Sequence, residues 1–304
     1  MAERASGAND PTGAGEFGAD VPSPAAPRAL RAYPVFVSLL IVCVGGLAGT
    51  ILLTVVIAVI MALGGMGGEA IQERLTNNTF LTFLLSSPFH LAMVAVALGH
   101  AKLTRRKMAD QLGLRPPGLP AREWALILLG SGVPLALSVL AAWPMPSIGG
   151  AENIEEFWGS MSVGAAIAWV AYIGIVPGVA EELFCRGLMQ RRLLQRWRPF
   201  AAIAMTSCVF AVLHIDPPAM ALALVLGVWL GFVAWRTGSV WPSIAIHAAI
   251  NSSWNLAQIV LRQTEAPVSA VVAGASALGI VCLVCFVLAL RILLRRTPDL
   301  AVPR

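Results

Sequence analysis

Residues 163–186 read VGAAIAWVAYIGIVPGVAEELFCR, and this stretch decides how the chain is read. Residues 163–180 carry no charge, which is the length of a helix that crosses a bilayer. The run then ends in two adjacent carboxylates, Glu181 and Glu182, followed by Arg186. A charged side chain at the centre of a membrane helix costs roughly 2.5–3.5 kcal/mol on insertion scales. Two together in an apolar segment point to a polar site built inside a membrane.

The rest of the chain supports a lipid setting. Of its 304 residues, 58% are hydrophobic and 12% charged, against about 25% charged in soluble domains. Eight apolar segments follow one another, at about 33–63, 80–101, 124–143, 163–182, 200–215, 219–235, 240–261 and 268–294. The expected fold is therefore all-α, a polytopic membrane protein with about eight transmembrane helices. Residues 1–32 read as a disordered cytoplasmic tail, rich in Gly, Ala, Pro and Asp. Residues 33–160 then hold three accessory transmembrane helices, 161–262 a transmembrane core that carries the polar site, and 263–304 a last helix with a basic cytoplasmic tail. The first apolar segment is too long for the core of a secretory signal and is read as retained.

The net charge of +5 raises the question of nucleic acid, but its distribution answers it. With eight crossings, 19 of the 21 Lys and Arg residues fall on one side, and only Arg74 and Arg262 on the other, beside a loop with Glu152, Glu155 and Glu156. That is the positive-inside asymmetry, which places both termini in the cytoplasm. The expected setting is a bacterial plasma membrane, with no nucleic-acid partner. Among the five cysteines, Cys282 and Cys285 lie three apart, at C-x-x-C spacing, inside an apolar helical segment, where the pair reads as packing, and no disulfide is implied. Gly45 and Gly49 form a small-xxx-small pair for close helix approach. Up to about residue 160 no ionisable side chain is expected deep in the membrane. His90, which follows Pro88, is read as packed or interfacial, although it could face inward.

Three short patterns fall in the second half. In the first, Glu182 and Arg186 share a helix face at i, i+4 and balance each other. Glu181 is turned about 100° away. The alternative is a charged cap at the membrane surface. In the second, Phe210 lies one turn before His214 and can shield its imidazole from water. In the third, Ser243, His247 and Asn251 form a polar stripe, which reads either as a site or as interhelical glue. Glu181 and His214 lie 16 and 17 residues on either side of Trp197, so an antiparallel hairpin closing there brings them to one height. Asp216, before two prolines, reads as a turn residue. A carboxylate and two imidazoles in a dry cavity are parts for activating water.

These patterns resemble the E-E-x-x-x-R, F-x-x-x-H and H-x-x-x-N/D motifs of the CAAX-protease and bacteriocin-processing family of intramembrane proteases, over about residues 163–260. The resemblance implies an intramembrane endopeptidase that cleaves a membrane-associated protein or peptide. By position it makes Glu181 the general base and His214 a holder of water or metal. His247 and Asn251 would bind metal or the oxyanion, with Glu182, Arg186 and Phe210 in support. It also implies Zn2+ or another divalent metal, held by His214, His247 and Glu181. There is no H-E-x-x-H helix, so a metal-free glutamate mechanism also stays open, with the divalent metal the favoured expectation. Two rivals from other classes are a proton-coupled transporter, since buried Glu and His also build proton relays, and a non-catalytic membrane scaffold or immunity protein. The substrate, its prenylation and the oligomeric state stay open at this stage.

Overall fold

The structure, a computed structural model, describes residues 33–103, 107–148, 158–159, 161–264 and 267–297. The N-terminal tail, Glu152, Glu155, Glu156 and the last seven residues lie outside this set. The regular elements among the described residues are all helices. They are α1 (Tyr33–Leu63), α2 (Gly68–Asn77), α3 (Thr79–Lys102), α4 (Met108–Leu112), α5 (Ala121–Gly130) and α6 (Gly132–Ala142). After the connection come α7 (Val163–Glu182), a π-helical continuation (Leu183–Gln190) and the short α8 (Arg191–Leu193). The rest are α9 (Pro199–Val212), α10 (Pro217–Thr237), α11 (Trp241–Gln263) and α12 (Val268–Arg295).

All eight predicted apolar segments are helical, and six stretches are long and apolar enough to cross a membrane. The other two are α9 and α11. At 14 residues, α9 spans about 21 Å at 1.5 Å per residue, short of a hydrocarbon core of about 30 Å. Its partner α11 has the length, 23 residues, but His247, Asn251, Ser252 and Asn255 make it too polar. Outward-facing apolar side chains such as Leu40, Val44, Leu47 and Ile51 are more than half exposed. Those side chains suit lipid contact, as expected of an integral membrane protein.

Helix α1 packs on α3, α7 on α11, α9 and α6 on α10, and α5 on α12. The close approach of α1 to α3 uses Gly46 and Gly49, where a Cβ would come within 2.5 Å of the Phe89 ring and 2.8 Å of Pro88. Gly45, the expected partner of Gly49, faces open space instead. One residue is a 100° rotation on a helix, enough to move the contact from one face to the next. Gly65, at φ +86°, turns the chain after α1.

The contact of α7 with α11 is set by Gly174 and Gly178, which face Ser252 and Ala248. Pro177 inside α7 has no N–H, so the Ile173 carbonyl loses its helical donor. Asn251 of α11 supplies the missing hydrogen, donating from Nδ2 to Ile173 O at 3.2 Å. Ser252 donates to Val170 O at 3.1 Å, one turn earlier.

Candidate active site

The site lies where α3, α7, α9 and α11 meet. At its base the chain leaves α-geometry, with Leu183–Gln190 wound as a π-helix in which every residue is buried. Such wider turns recur at functional sites. Here the wide turn carries Arg186 and Gln190 towards α10. Arg186 Nη2 donates to Gly227 O at 3.1 Å and Gln190 Nε2 to Gly231 O at 2.8 Å. Both acceptors are glycines because the approach is close. A Cβ on Gly227 would lie 3.1 Å from Ser207, and one on Gly231 would lie 2.7 Å from Gln190.

Glu182 and Arg186 pair as the i, i+4 spacing predicts, with Nη1 2.6 Å from Oε1 and both side chains fully buried. The Arg186 guanidinium also sits 4.5 Å over the Phe210 ring. The same Glu182 oxygen accepts from His247 Nδ1 at 3.1 Å. This bond assigns the Nδ1 hydrogen of the neutral imidazole and leaves Nε2 facing Glu181, 3.8 Å from its Oε2. Glu182 thus does more than neutralise an arginine, because it also orients His247.

Glu181 points the other way. Its Oε1 accepts from His90 Nε2 of α3 at 3.3 Å, with each side chain 13% exposed. Its Oε2 is buried with no hydrogen-bond partner. This corrects the reading of His90 as a packed or interfacial residue, and with it the expectation that the first 160 residues place no ionisable group deep inside. Sequence reasoning missed this residue, and its one signal was Pro88. A ladder broken by proline lets the helix turn a polar side chain inward.

His214, just past the end of α9, makes no hydrogen bond or ion pair with Glu181, whose partners are His90 and His247. Its Nδ1 donates to Phe210 O at 2.8 Å, which leaves Nε2 as an acceptor. The Phe210 ring stands edge-on to both imidazoles, at 4.9 Å from His214 and 5.8 Å from His247. Beyond His214 the backbone tightens. Asp216 N bonds His214 O at 2.6 Å across Ile215, whose φ is +63°. Asp216 is a turn residue as expected, and its Oδ1 accepts from Ser147 Oγ and Ile148 N, both at 2.9 Å.

Asn251 lies one turn beyond His247 with one amide hydrogen on Ile173 O, and a second amide hydrogen remains on the same nitrogen. Ser243, at the other end of the stripe, donates to Val240 O and stays in the helix wall.

The resemblance would have Glu181, His214 and His247 hold a divalent metal. Among the described residues no group of three or more His, Cys, Asp or Glu side chains is placed to hold an ion. Each of the three has one atom held by a neighbour, Glu181 Oε1 by His90, His247 Nδ1 by Glu182 and His214 Nδ1 by Phe210, and keeps the other as a donor.

Residues 163–253 match the family model for Rce1-like proteins, the type II CAAX prenyl endopeptidases. The match bears out the resemblance drawn from the three motifs. It covers Glu181, Glu182, Arg186, Phe210, His214, His247 and Asn251, and leaves His90 outside. No curated protein and no solved structure matches the chain.

Proposed function

Taking residues 163–253 as the CAAX-type peptidase segment of an integral membrane protein, we propose that the chain hydrolyses a peptide bond in a membrane-associated protein or peptide. Glu181 is the general base. The observation that carries this reading is its free, buried Oε2, flanked by His247 and backed by His90 on Oε1.

A water molecule would donate one hydrogen to Glu181 Oε2 and the other to His214 Nε2, which presents its lone pair to the scissile carbonyl carbon. As the water attacks, Glu181 takes its proton and the carbonyl oxygen becomes an oxyanion. The second amide hydrogen of Asn251 donates to that oxyanion, and His247, its Nδ1 hydrogen held by Glu182, walls the site beside Glu181. When the C–N bond breaks, Glu181 returns the proton to the leaving amine, so protons and electrons balance. His90 keeps Oε1 occupied, so Oε2 is the oxygen that meets water. The basic ends of the helices lie in the cytoplasm of a bacterial cell, and with them both termini.

The test is cleavage of a membrane-borne peptide by purified protein, beside Glu181→Gln. Loss of product in a variant that keeps its melting temperature is the expected result. Normal cleavage by Glu181→Gln overturns the assignment. A strong chelator separates the two routes: cleavage that survives it belongs to the glutamate and its water alone, and loss restored by Zn2+ places a metal on Glu181, His214 and His247. A proton-coupled transporter would give flux in proteoliposomes with no peptide product.

A further inference from the structure

We propose that the basic end of this protein holds an anionic phospholipid, with its headgroup among Arg115, Arg191, Arg236 and Arg296 and an acyl chain along the adjoining groove between Trp124 and Trp241. The inference rests on membrane embedding and not on the peptidase reading.

A cavity of about 260 Å³ lies between the α4–α5 connector, α8 and the ends of α10 and α12, and those four arginines line it. Four separate stretches of sequence therefore bring cations to one place. Among the described residues, two carboxylates face them. Asp110 pairs with Arg115, and Glu123 Oε2 lies 3.4 Å from Arg296 Nη1. Much of the remaining bonding goes to neutral carbonyls. Arg191 donates to Gly238 O at 3.0 Å and to Asp110 O at 2.8 Å. Arg236 donates to Leu293 O at 2.6 Å and also to Leu294 O, while Arg296 donates to Pro117 O at 2.7 Å. Carbonyls fix where a guanidinium points without cancelling its charge. Among the described residues, four guanidinium groups and the single carboxylate Asp110 line the cavity, a balance that favours an anion.

The neighbouring groove decides what kind of anion. It has a volume of about 470 Å³, is walled by Leu119, Trp124, Trp241 and Ile244, and shares Pro116, Pro117 and Gly118 with the arginine cavity. Gly118, at φ +59°, turns the connector so that one short segment borders both spaces. Trp241 is 44% exposed, and its Nε1 donates to Leu114 O at 2.8 Å, which fixes the indole as a wall. Indoles of this kind belong at the membrane–water interface. A charged chamber opening onto an apolar slot at that level fits one amphiphile, and basic pockets between membrane helices are where anionic headgroups bind. Arg191 follows Arg186 by five residues, so a lipid here would tie the end of the glutamate-bearing helix to α10, α12 and the connector.

The full-length protein, purified in detergent, is titrated with dioleoyl-phosphatidylglycerol and, separately, with dioleoyl-phosphatidylcholine, and native mass spectrometry reads retention. Inorganic phosphate and glycerol 3-phosphate form two further arms, read by melting temperature. Preferential retention of phosphatidylglycerol is expected. The double variant Arg115→Gln, Arg296→Gln should weaken that retention about thirtyfold, at roughly one kcal/mol per arginine near the surface. Ala245→Phe, which fills the slot, should weaken retention with both arginines intact. Equal retention of the two lipids, or no effect of either variant, overturns the proposal and leaves annular lipid only. Stabilisation by free phosphate equal to that by the lipid makes this an anion site without a lipid, and also overturns it. Slowed cleavage by Ala245→Phe with lipid retention unchanged would assign the groove to substrate. Melting temperatures of the variants in phosphatidylcholine control for folding.

Discussion

Glu181 and Glu182 are neighbours on one helix, yet they look into two unlike regions of the molecule. The Glu182 side is sealed. Its carboxylate is fully buried, ion-paired to Arg186, bonded to His247, and backed by the Phe210 ring and the Gly227 carbonyl. The Glu181 side keeps 13% of its side chain exposed, one oxygen on His90 and the other without a partner. Both carboxylates leave Oε2 without a partner. The difference is that Glu182 is fully buried and held by the Arg186 cation, whereas Glu181 is partly exposed, has no such cation among the described residues and lies beside two imidazoles, where it can take a proton. The 100° between successive helical residues separates the two tasks.

The largest effect should come from exchanging these roles by substitution. Glu181→Gln keeps shape and hydrogen bonding but removes the base, and should lower cleavage by about 10²–10⁴-fold with melting unchanged. Arg186→Ala does the reverse. It leaves Glu182 buried without its cation, at a cost of about 3–5 kcal/mol, and should show as a large drop in melting temperature and in folded yield. If Arg186→Ala melts like the parent while losing cleavage, Arg186 acts at the reacting atoms and the sealed side is not merely structural.

His90 gives the next test, since it is the accessory helices' contribution to the open side. His90→Ala should lower kcat by about tenfold, the scale of an ordinary orienting hydrogen bond of about 1–1.5 kcal/mol, with KM little changed. His90→Gln returns an N–H donor at the same reach and should recover most of the loss. A structural histidine would fail this rescue, and would lower the melting temperature of both variants alike.

The two sides also differ in how far they can be read from sequence. Local periodicity carries Glu182, Arg186 and Phe210, because i, i+4 neighbours on one helix meet whatever surrounds them. The all-α membrane fold is legible for the same reason, in runs of hydropathy. Membership of α9 and α11 in the site is legible from Phe210 one turn before His214 and from the Ser243, His247 and Asn251 stripe. The polarity of that stripe also makes α11 a poor membrane span. His90 was not legible, since its contact joins residues 91 apart and depends on how α3 rotates around Pro88. The Gly46 contact failed in the same way, by one residue of helix phase. Nor does hydropathy predict the π-helical turn at Leu183–Gln190, which tertiary contacts with Gly227 and Gly231 hold in place.

The smallest expected effect lies at the rim of the open side, where His214 is followed by Ile215 at φ +63°. A β-branched residue there is strained, at a cost on the order of 1–2 kcal/mol, and Ile215 is 73% exposed, so little packing offsets it. Asn tolerates this backbone conformation far better. Ile215→Asn should therefore raise the melting temperature by a few degrees and leave cleavage as it was, because Asp216 N still bonds His214 O and Phe210 O still holds the imidazole. A variant that melts higher but cleaves more slowly would carry a different lesson. Strain at Ile215 would then be part of what sets His214 opposite Glu181, and the open side would be held under tension while the sealed side is relaxed.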